Sequence, residues 1–67
     1  MELDRNKINV AMARKNYNIA KLAETYGASP QRMRIILNSK KVSPATVGKL
    51  AKALDVDVTE IIEEGRK

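Results

Sequence analysis

The chain has 67 residues, with 13 Lys and Arg against 8 Asp and Glu, a net charge of +5 and a pI near 9.8. A chain this short buries only roughly 60% of its unfolded-state surface, so we expect one small domain, residues 1–67, with little stability to spare. It contains no cysteine and no histidine, which excludes disulfides and thiolate metal sites and removes the usual general base near neutral pH.

The charge is unevenly distributed along the chain. Residues 1–41 hold nine basic and three acidic side chains, whereas residues 42–67 hold four basic and five acidic ones. A basic N-terminal part and a near-neutral C-terminal part indicate that one face of the domain binds a polyanion and that another face makes a different contact. Solubilising surface charge is the alternative explanation.

No signal peptide or membrane span is apparent, so we expect a soluble intracellular domain.

Apolar residues recur at spacings of three and four, which predicts an all-α fold. The first helix is predicted from about Leu3 to Lys15 and stops at the Asn-Tyr-Asn of residues 16–18. Asn18 is suited to cap a second helix over residues 19–26, because its side chain can accept from the unpaired amides of the next turn. Gly27 ends that helix, since glycine readily takes the left-handed conformation.

Two Ser-Pro pairs predict the next two helix starts. Ser29 is the expected cap of a third helix over residues 30–38, with Pro30 at its first position. Ser43 and Pro44 open a fourth helix. The capping pattern "DVTE" at residues 57–60 predicts a short fifth helix that ends near Glu64. The fourth helix has an inward face of Val47, Leu50, Ala51 and Leu54.

The turn "YGAS" is short, so the second and third helices must pack closely and cross at a steep angle. Ala23 lies four residues before Gly27, and Met33 lies six residues after it. This spacing is typical of a DNA-binding helix-turn-helix, whose second helix enters the major groove. We therefore predict a helix-turn-helix at about residues 19–38.

The stretch "IAKLAETYGASPQRMRIILNSKKVSPATVGKLAKALDVDVTEII" resembles the lambda repressor/Cro-type helix-turn-helix domain, also called the XRE family. The resemblance extends from about Ile8 to Ile62. It implies a five-helix domain that binds operator DNA, usually as a dimer, and represses or sometimes activates transcription. The sequence departs from the family pattern at Ile19, where members often carry a phosphate-contacting Gln. It departs again at Met12 and Leu37, which replace a frequent Arg–Glu pair and which we expect to pack together.

The outward side of the third helix is the predicted base-reading face. Gln31 can make two hydrogen bonds to adenine. Arg32 or Arg34 can make a bidentate contact to guanine or, alternatively, contact a phosphate. Ile35 suits a thymine methyl group. Met33, Ile36 and Leu37 are predicted to be core. The alternative is that the two arginines are solvated and Ile35 is a stray exposed aliphatic residue.

Phosphate contacts are predicted around that face, where they would set orientation rather than sequence preference. The resemblance places Asn38 at a backbone-contacting position. The full predicted set is Asn18, Lys21, Asn38, Lys40 and Lys41. Most of the basic residues of the first helix, which are Arg5, Lys7, Arg14 and Lys15, are expected to face solvent.

The rear half carries an aliphatic group at Val56, Val58, Ile61 and Ile62. These residues either cover the core of their own chain or form a symmetric dimer interface. A dimer would place two reading helices about one DNA turn apart.

We predict a sequence-specific transcriptional regulator, most often a repressor, whose partners are operator DNA and a second copy. A protein-interaction module on the same fold, of the antitoxin or anti-repressor type, is the alternative. We expect no enzymatic activity, no metal, cofactor or small-molecule ligand, and no membrane partner, because catalytic residues and pocket volume are lacking. The resemblance implies a cytoplasmic, nucleoid-associated protein of bacterial, archaeal or phage origin.

Overall fold

The computed structural model describes residues 1–39 and 41–63. Within these ranges the protein is all-helical, with isolated β-bridges but no strand. Four α-helices and one single turn of 3-10 helix follow in chain order: α1 Arg5–Lys15, α2 Ile19–Tyr26, α3 Pro30–Asn38, α4 Pro44–Leu54 and the 3-10 turn Val58–Glu60.

The start of α1 differs from the prediction. Asp4 is extended and caps the helix, because its carboxylate accepts from the backbone amide of Lys7 at 3.1 Å. The preceding residues do not join the helix, since Glu2 forms an antiparallel bridge with Lys41 and Leu3 forms one with Ile62. The expected start at Leu3 was therefore wrong, because pairing with distant segments holds that backbone extended.

The start of α2, α3 and α4 is set by a local cap in each case. Asn18, Ser29 and Ser43 each accept from the amide three residues later. Each caps one of the amides that a helix leaves unpaired at its first turn. The predicted bounds of α2 and α3 are confirmed, and so is the start of α4.

The predicted fifth helix is reduced to the 3-10 turn in the described residues. The predicted capping box does form: Asp57 accepts from the Thr59 amide, and Glu60 accepts from the Asp57 amide at 3.3 Å. The helix does not continue, because Ile61 leaves helical geometry and Ile62 pairs with Leu3. The predicted end near Glu64 lies outside the described residues.

The capping carboxylate of Asp57 is stabilised in its charged form. The side-chain hydroxyl and then the backbone amide of Thr59 donate to it and lower the pKa of Asp57 from its ordinary value of 3.8; the Val58 amide adds to this, and burial opposes it. A pKa that is lower in the folded state adds stability wherever the carboxylate is ionised.

This lowered pKa predicts an acid-dependent loss of stability. The contribution is fully present above the ordinary pKa of 3.8 and is lost as the pH falls through the lower folded-state value. We expect Asp57→Ala to narrow the difference between urea midpoints at about pH 5 and about pH 3. Asp55→Asn is the control, because it removes another exposed carboxylate that does not cap the 3-10 turn. Equal narrowing by both variants would contradict the assignment.

The core lies between the helices and reaches back to both ends of the described chain. Leu3 and Ile61 join it from the extended segments beside the helices. Tyr17, in the connection between α1 and α2, packs partly buried against it. No charged or polar side chain is buried among the described residues. The buried cluster comprises Leu3, Ile8, Ala11, Met12, Leu22, Ala23, Met33, Leu37, Val47, Leu50, Ala51, Ala53, Leu54 and Ile61.

The segment before α1 joins the loop after α3 to the end of the chain's described part. The Val42 amide donates to the carbonyl of Met1 at 2.8 Å, and the Glu63 amide donates to that of Glu2 at 2.9 Å. On the other side of Leu3, the Asp4 amide donates to the carbonyl of Ile61 at 2.9 Å. The Val42 bond and the bridge of Lys41 to Glu2 hold residues 41 and 42 beside the segment that precedes α1. Within the described ranges, none of the helices has the length and apolar character needed to cross a membrane.

Candidate nucleic-acid interface

The connection between α2 and α3 is a tight turn built around Gly27. This glycine has φ +98°, in the left-handed region that residues with a side chain rarely adopt. Its amide and that of Ala28 both donate to the carbonyl of Ala23, at 2.8 Å and 2.9 Å. Ser29 then caps α3, accepting from the Arg32 amide at 3.1 Å. The chain thus reverses within a few residues, and α2 packs closely on α3.

The two sides of α3 have opposite environments. Met33, Ile36 and Leu37 are buried, as predicted for the inward side. Ile35 is the notable residue of the other side, because it is an aliphatic side chain that remains 59% exposed. The exposed predicted residues of this side, which we call the α3 outer face, are Gln31, Arg32, Arg34, Ile35 and Asn38.

The polar groups of the α3 outer face are mostly unengaged. Within residues 1–39 and 41–63, the side chains of Gln31, Arg32 and Arg34 make no hydrogen bond or ion pair. Helix α3 itself contains no acidic residue. The two guanidinium groups therefore carry uncompensated positive charge beside an exposed aliphatic side chain, which suits a polyanion with an apolar edge.

Two predicted phosphate contacts lie at the start of α2. Asn18 is exposed, and its carbonyl oxygen is occupied by the Lys21 amide at 2.8 Å. Its amide nitrogen is left to donate elsewhere. The ammonium of Lys21 pairs with Glu24 at 3.5 Å, and both side chains are exposed. Such a surface pair is weak, so Lys21 can exchange it for a phosphate.

The other predicted phosphate contacts lie at the end of α3 and in the loop after it. Asn38 is the exposed last residue of the helix, and its carbonyl oxygen accepts from Arg5 at 3.2 Å. Lys41 is exposed, and its backbone bridges to Glu2. Lys40, which was predicted with them, lies outside the described residues. The structure thus brings Asn38 and Lys41 to the same end of α3.

The basic residues of α1 differ from one another in their partners. Arg14 pairs with Glu60 at 3.0 Å, and Lys15 pairs with Asp55 at 3.8 Å. The ammonium of Lys7 donates to the carbonyl of Ile62 at 3.1 Å. Arg5 is exposed, as expected for most of these residues, and its guanidinium also donates to Asn38 of α3. No local signal in the sequence pairs Arg5 with Asn38.

Comparison with family models decides the identity of the domain. Residues 7–63 match the model of the Cro/C1-type helix-turn-helix DNA-binding domain. The chain belongs to this family. The match spans all four helices and the 3-10 turn, apart from the first residues of α1. It confirms the resemblance inferred from the sequence.

Solved structures with the same fold belong to an enzyme. A structure described as native PhpD with cadmium atoms matches the Cro/C1-type domain with a TM-score of 0.76 and 25% identity. A mutant of hydroxyethylphosphonate dioxygenase matches with a TM-score of 0.77 and 25% identity. Each match covers 100% of this chain but only 15% of the other chain. No curated protein matches the sequence.

The departures from the family pattern are apolar substitutions that the structure accommodates. Ile19, at the first position of α2, packs partly buried against the core instead of presenting a polar side chain. Met12 and Leu37 are both buried in the same cluster, as expected for an apolar replacement of an ion pair. A buried charge is avoided there, and with it the cost of desolvation.

The predicted dimer residues divide into two groups in this Cro/C1-type domain. Ile61 is fully buried in its own core, so it offers no surface to a second copy and is removed from the predicted interface. Val56, Val58 and Ile62 are partly buried and pack against the core from outside. Only these three retain surface for a partner. Ile61 joins the buried cluster together with Leu3, which bridges to the neighbouring Ile62.

Proposed function

We propose that the protein is a sequence-specific regulator of transcription, acting as a repressor, that reads the DNA major groove with α3. The observation that carries this proposal is the α3 outer face. It presents an amide, two guanidinium groups that have no ion-pair partner in residues 1–39 and 41–63, and an exposed aliphatic side chain, on a helix whose other side is buried. Membership of a DNA-binding family supports the same function.

Four residues of the face, which are Gln31, Arg32, Arg34 and Ile35, have a base-reading role in this proposal. Gln31, near the start of α3, makes paired hydrogen bonds to adenine. Arg34, with Arg32 beside it, makes a bidentate contact to guanine or a phosphate contact. Ile35 packs on a thymine methyl group, which accounts for its exposure. Because Met33 and Leu37 hold the helix rigidly from behind, these contacts are made from a fixed orientation.

The proposed backbone contacts are Asn18 and Lys21 at the start of α2, Asn38 at the end of α3, and Lys40 and Lys41 in the loop after it. In the sequence they lie on both sides of the base-reading residues 31–35. Phosphate contacts of this kind orient the protein but do not distinguish bases. They predict strong salt dependence, because each neutralised phosphate releases counterions.

Lys41→Ala tests this division of roles. We expect it to weaken binding to all duplexes about equally and to reduce the slope of log K against log salt by about one unit. The measurement is fluorescence anisotropy with a selected and a scrambled duplex over a salt series. Lys15→Ala is a matched control, because Lys15 lies beside Asp55 at the end of α4 and is not part of the proposed phosphate set. A change in base preference for Lys41→Ala would contradict a pure phosphate role.

Selection from a random duplex pool at physiological salt is the decisive test of the proposed function. We expect enrichment of one defined motif and an affinity above that for random duplex by a factor of about 10³ or more. Two half-sites about one helical turn apart would support a homodimer through Val56, Val58 and Ile62. Equal binding of selected and random duplexes would overturn the sequence-specific proposal.

A protein-interaction module is the second candidate. The observation that favours it is that the same fold forms a small part of a dioxygenase, so the fold occurs in a protein of another class. This candidate predicts binding to a protein partner that persists at high salt, and no enriched DNA motif. The selection experiment separates the two.

We further propose that residues 1–67 act as one binding domain without catalytic activity or a cofactor. The sequence lacks His and Cys, which carry most general-base and thiolate chemistry. A cytoplasmic, nucleoid-associated role in a bacterium, archaeon or phage is consistent with the family.

A further inference from the structure

Arg5 is the first residue of α1, yet its guanidinium group lies against the end of α3. Its Nη1 donates to Oδ1 of Asn38 at 3.2 Å, and its Nε donates to Oδ1 of Asn9 at 3.3 Å. The two amides hold an exposed side chain in one orientation. A planar guanidinium fixed in this way loses little further freedom when it binds an anion.

Arg5 has no ion-pair partner among the residues that the structure describes. Arg14, in contrast, pairs with Glu60. Glu2 and Glu63 line the same depression as Arg5 and Asn38, but neither carboxylate pairs with the guanidinium. Arg5 thus keeps its full charge and several N–H donors.

Asn38 adds a donor at the same place. Because its Oδ1 accepts from Arg5, its amide nitrogen is turned toward other acceptors. The exposed edge between α1 and α3 therefore offers a cation and an amide N–H group, and its acceptor oxygen is already occupied. Charge-assisted bonds from such donors suit a phosphate oxygen.

We propose that Arg5 and Asn38 together bind one phosphodiester of the DNA backbone and so anchor the far end of α3. This inference rests on the proposed function and assigns α1 a direct part in it. Arg5 supplies the charge, and Asn38 supplies the second hydrogen bond. The anchor carries no base information; it fixes how deeply the end of α3 sits in the groove.

The first test compares charge-removing variants on the same helix. Arg5→Gln keeps an amide that can donate to Asn38 but removes the charge. We expect it to flatten the slope of log K against log salt by about 0.9 and to lower affinity roughly eightfold at 0.1 M salt, for all duplexes alike. Arg5→Lys should keep the slope. Arg14→Gln, the matched control, should leave the slope unchanged because Arg14 lies against Glu60 of the 3-10 turn and not against α3.

The second test locates the phosphate. Selected duplexes are prepared with a single neutral methylphosphonate at each backbone position in turn. The wild type should lose roughly eightfold at the position that faces Arg5, whereas Arg5→Gln should show no further loss at that position. Circular dichroism and urea midpoints establish that each variant is folded at the assay temperature.

The outcomes separate this inference from the proposed function. Enriched binding by the wild type, with Arg5→Gln matching Arg14→Gln at every salt concentration and every backbone position, would overturn the Arg5 anchor and leave the proposed function standing. Failure of the wild type to bind any duplex would overturn both. Coupling of Arg5 to one methylphosphonate position would establish the anchor.

Discussion

Replacing Arg34 by alanine is expected to relax the DNA preference of the protein at particular base pairs and to leave its fold intact. Arg34 is exposed on the α3 outer face and has no hydrogen-bond or ion-pair partner among the described residues. Loss of a bidentate contact to guanine reduces discrimination at that base pair by about 1–3 kcal/mol. Gln31→Ala should produce a similar loss at a different position.

The measurement is selection of each variant against the random duplex pool, followed by affinities for single-base changes in the enriched site. Arg32→Ala, run in parallel, decides which arginine reads a base. The variant that changes the motif identifies the base contact, whereas a uniform loss with a lower salt slope identifies a phosphate contact. Motifs unchanged by all three substitutions would contradict base reading by this face.

The second large effect is expected at Ile61. Its side chain is fully buried, so Ile61→Ala should lower the free energy of unfolding by about 2–5 kcal/mol through lost burial and the cavity left behind. A domain of this size has only about 3–10 kcal/mol in total. The loss should therefore be visible as a large fall in the urea midpoint, even at a protein concentration where no dimer forms.

Ile35→Ala is the matched control for Ile61→Ala, because it removes the same atoms from a side chain that is 59% exposed. We expect its unfolding free energy to stay within about 0.5 kcal/mol of the wild type, while its DNA preference at a thymine is reduced. Both variants are compared at one protein concentration, since dimer formation would make the midpoint depend on concentration. A stable Ile61→Ala variant that fails only to dimerise would restore the original interface assignment.

Isoleucine serves two different purposes within this fold. Ile35 and Ile61 are chemically identical, and each stands in a short apolar run of the sequence. Helical periodicity alone placed Ile35 outward, because Met33, Ile36 and Leu37 occupy the opposite side of α3. No comparable periodicity exists around Ile61, which lies just beyond the 3-10 turn. Its burial depends on segments far away in the sequence.

Structural features that depend on residues close together in the chain could be predicted from the sequence. The caps at Asn18, Ser29 and Ser43 act on amides three residues away, and Gly27 ends α2 through its own backbone conformation. The bounds of α2 and α3 and the two sides of α3 were therefore predictable. The family could also be inferred, because its pattern is an ordered set of such local signals.

Structural features that depend on contacts between distant segments became visible only in the tertiary structure. The bridge of Leu3 to Ile62 delays the start of α1, stops the predicted fifth helix after one turn and accompanies the burial of Ile61. The contact of Arg5 with Asn38 joins residues 33 positions apart. Capping and periodicity report on neighbours within about one helical turn. They carry no information about which distant backbone will pair or which exposed side chains will meet.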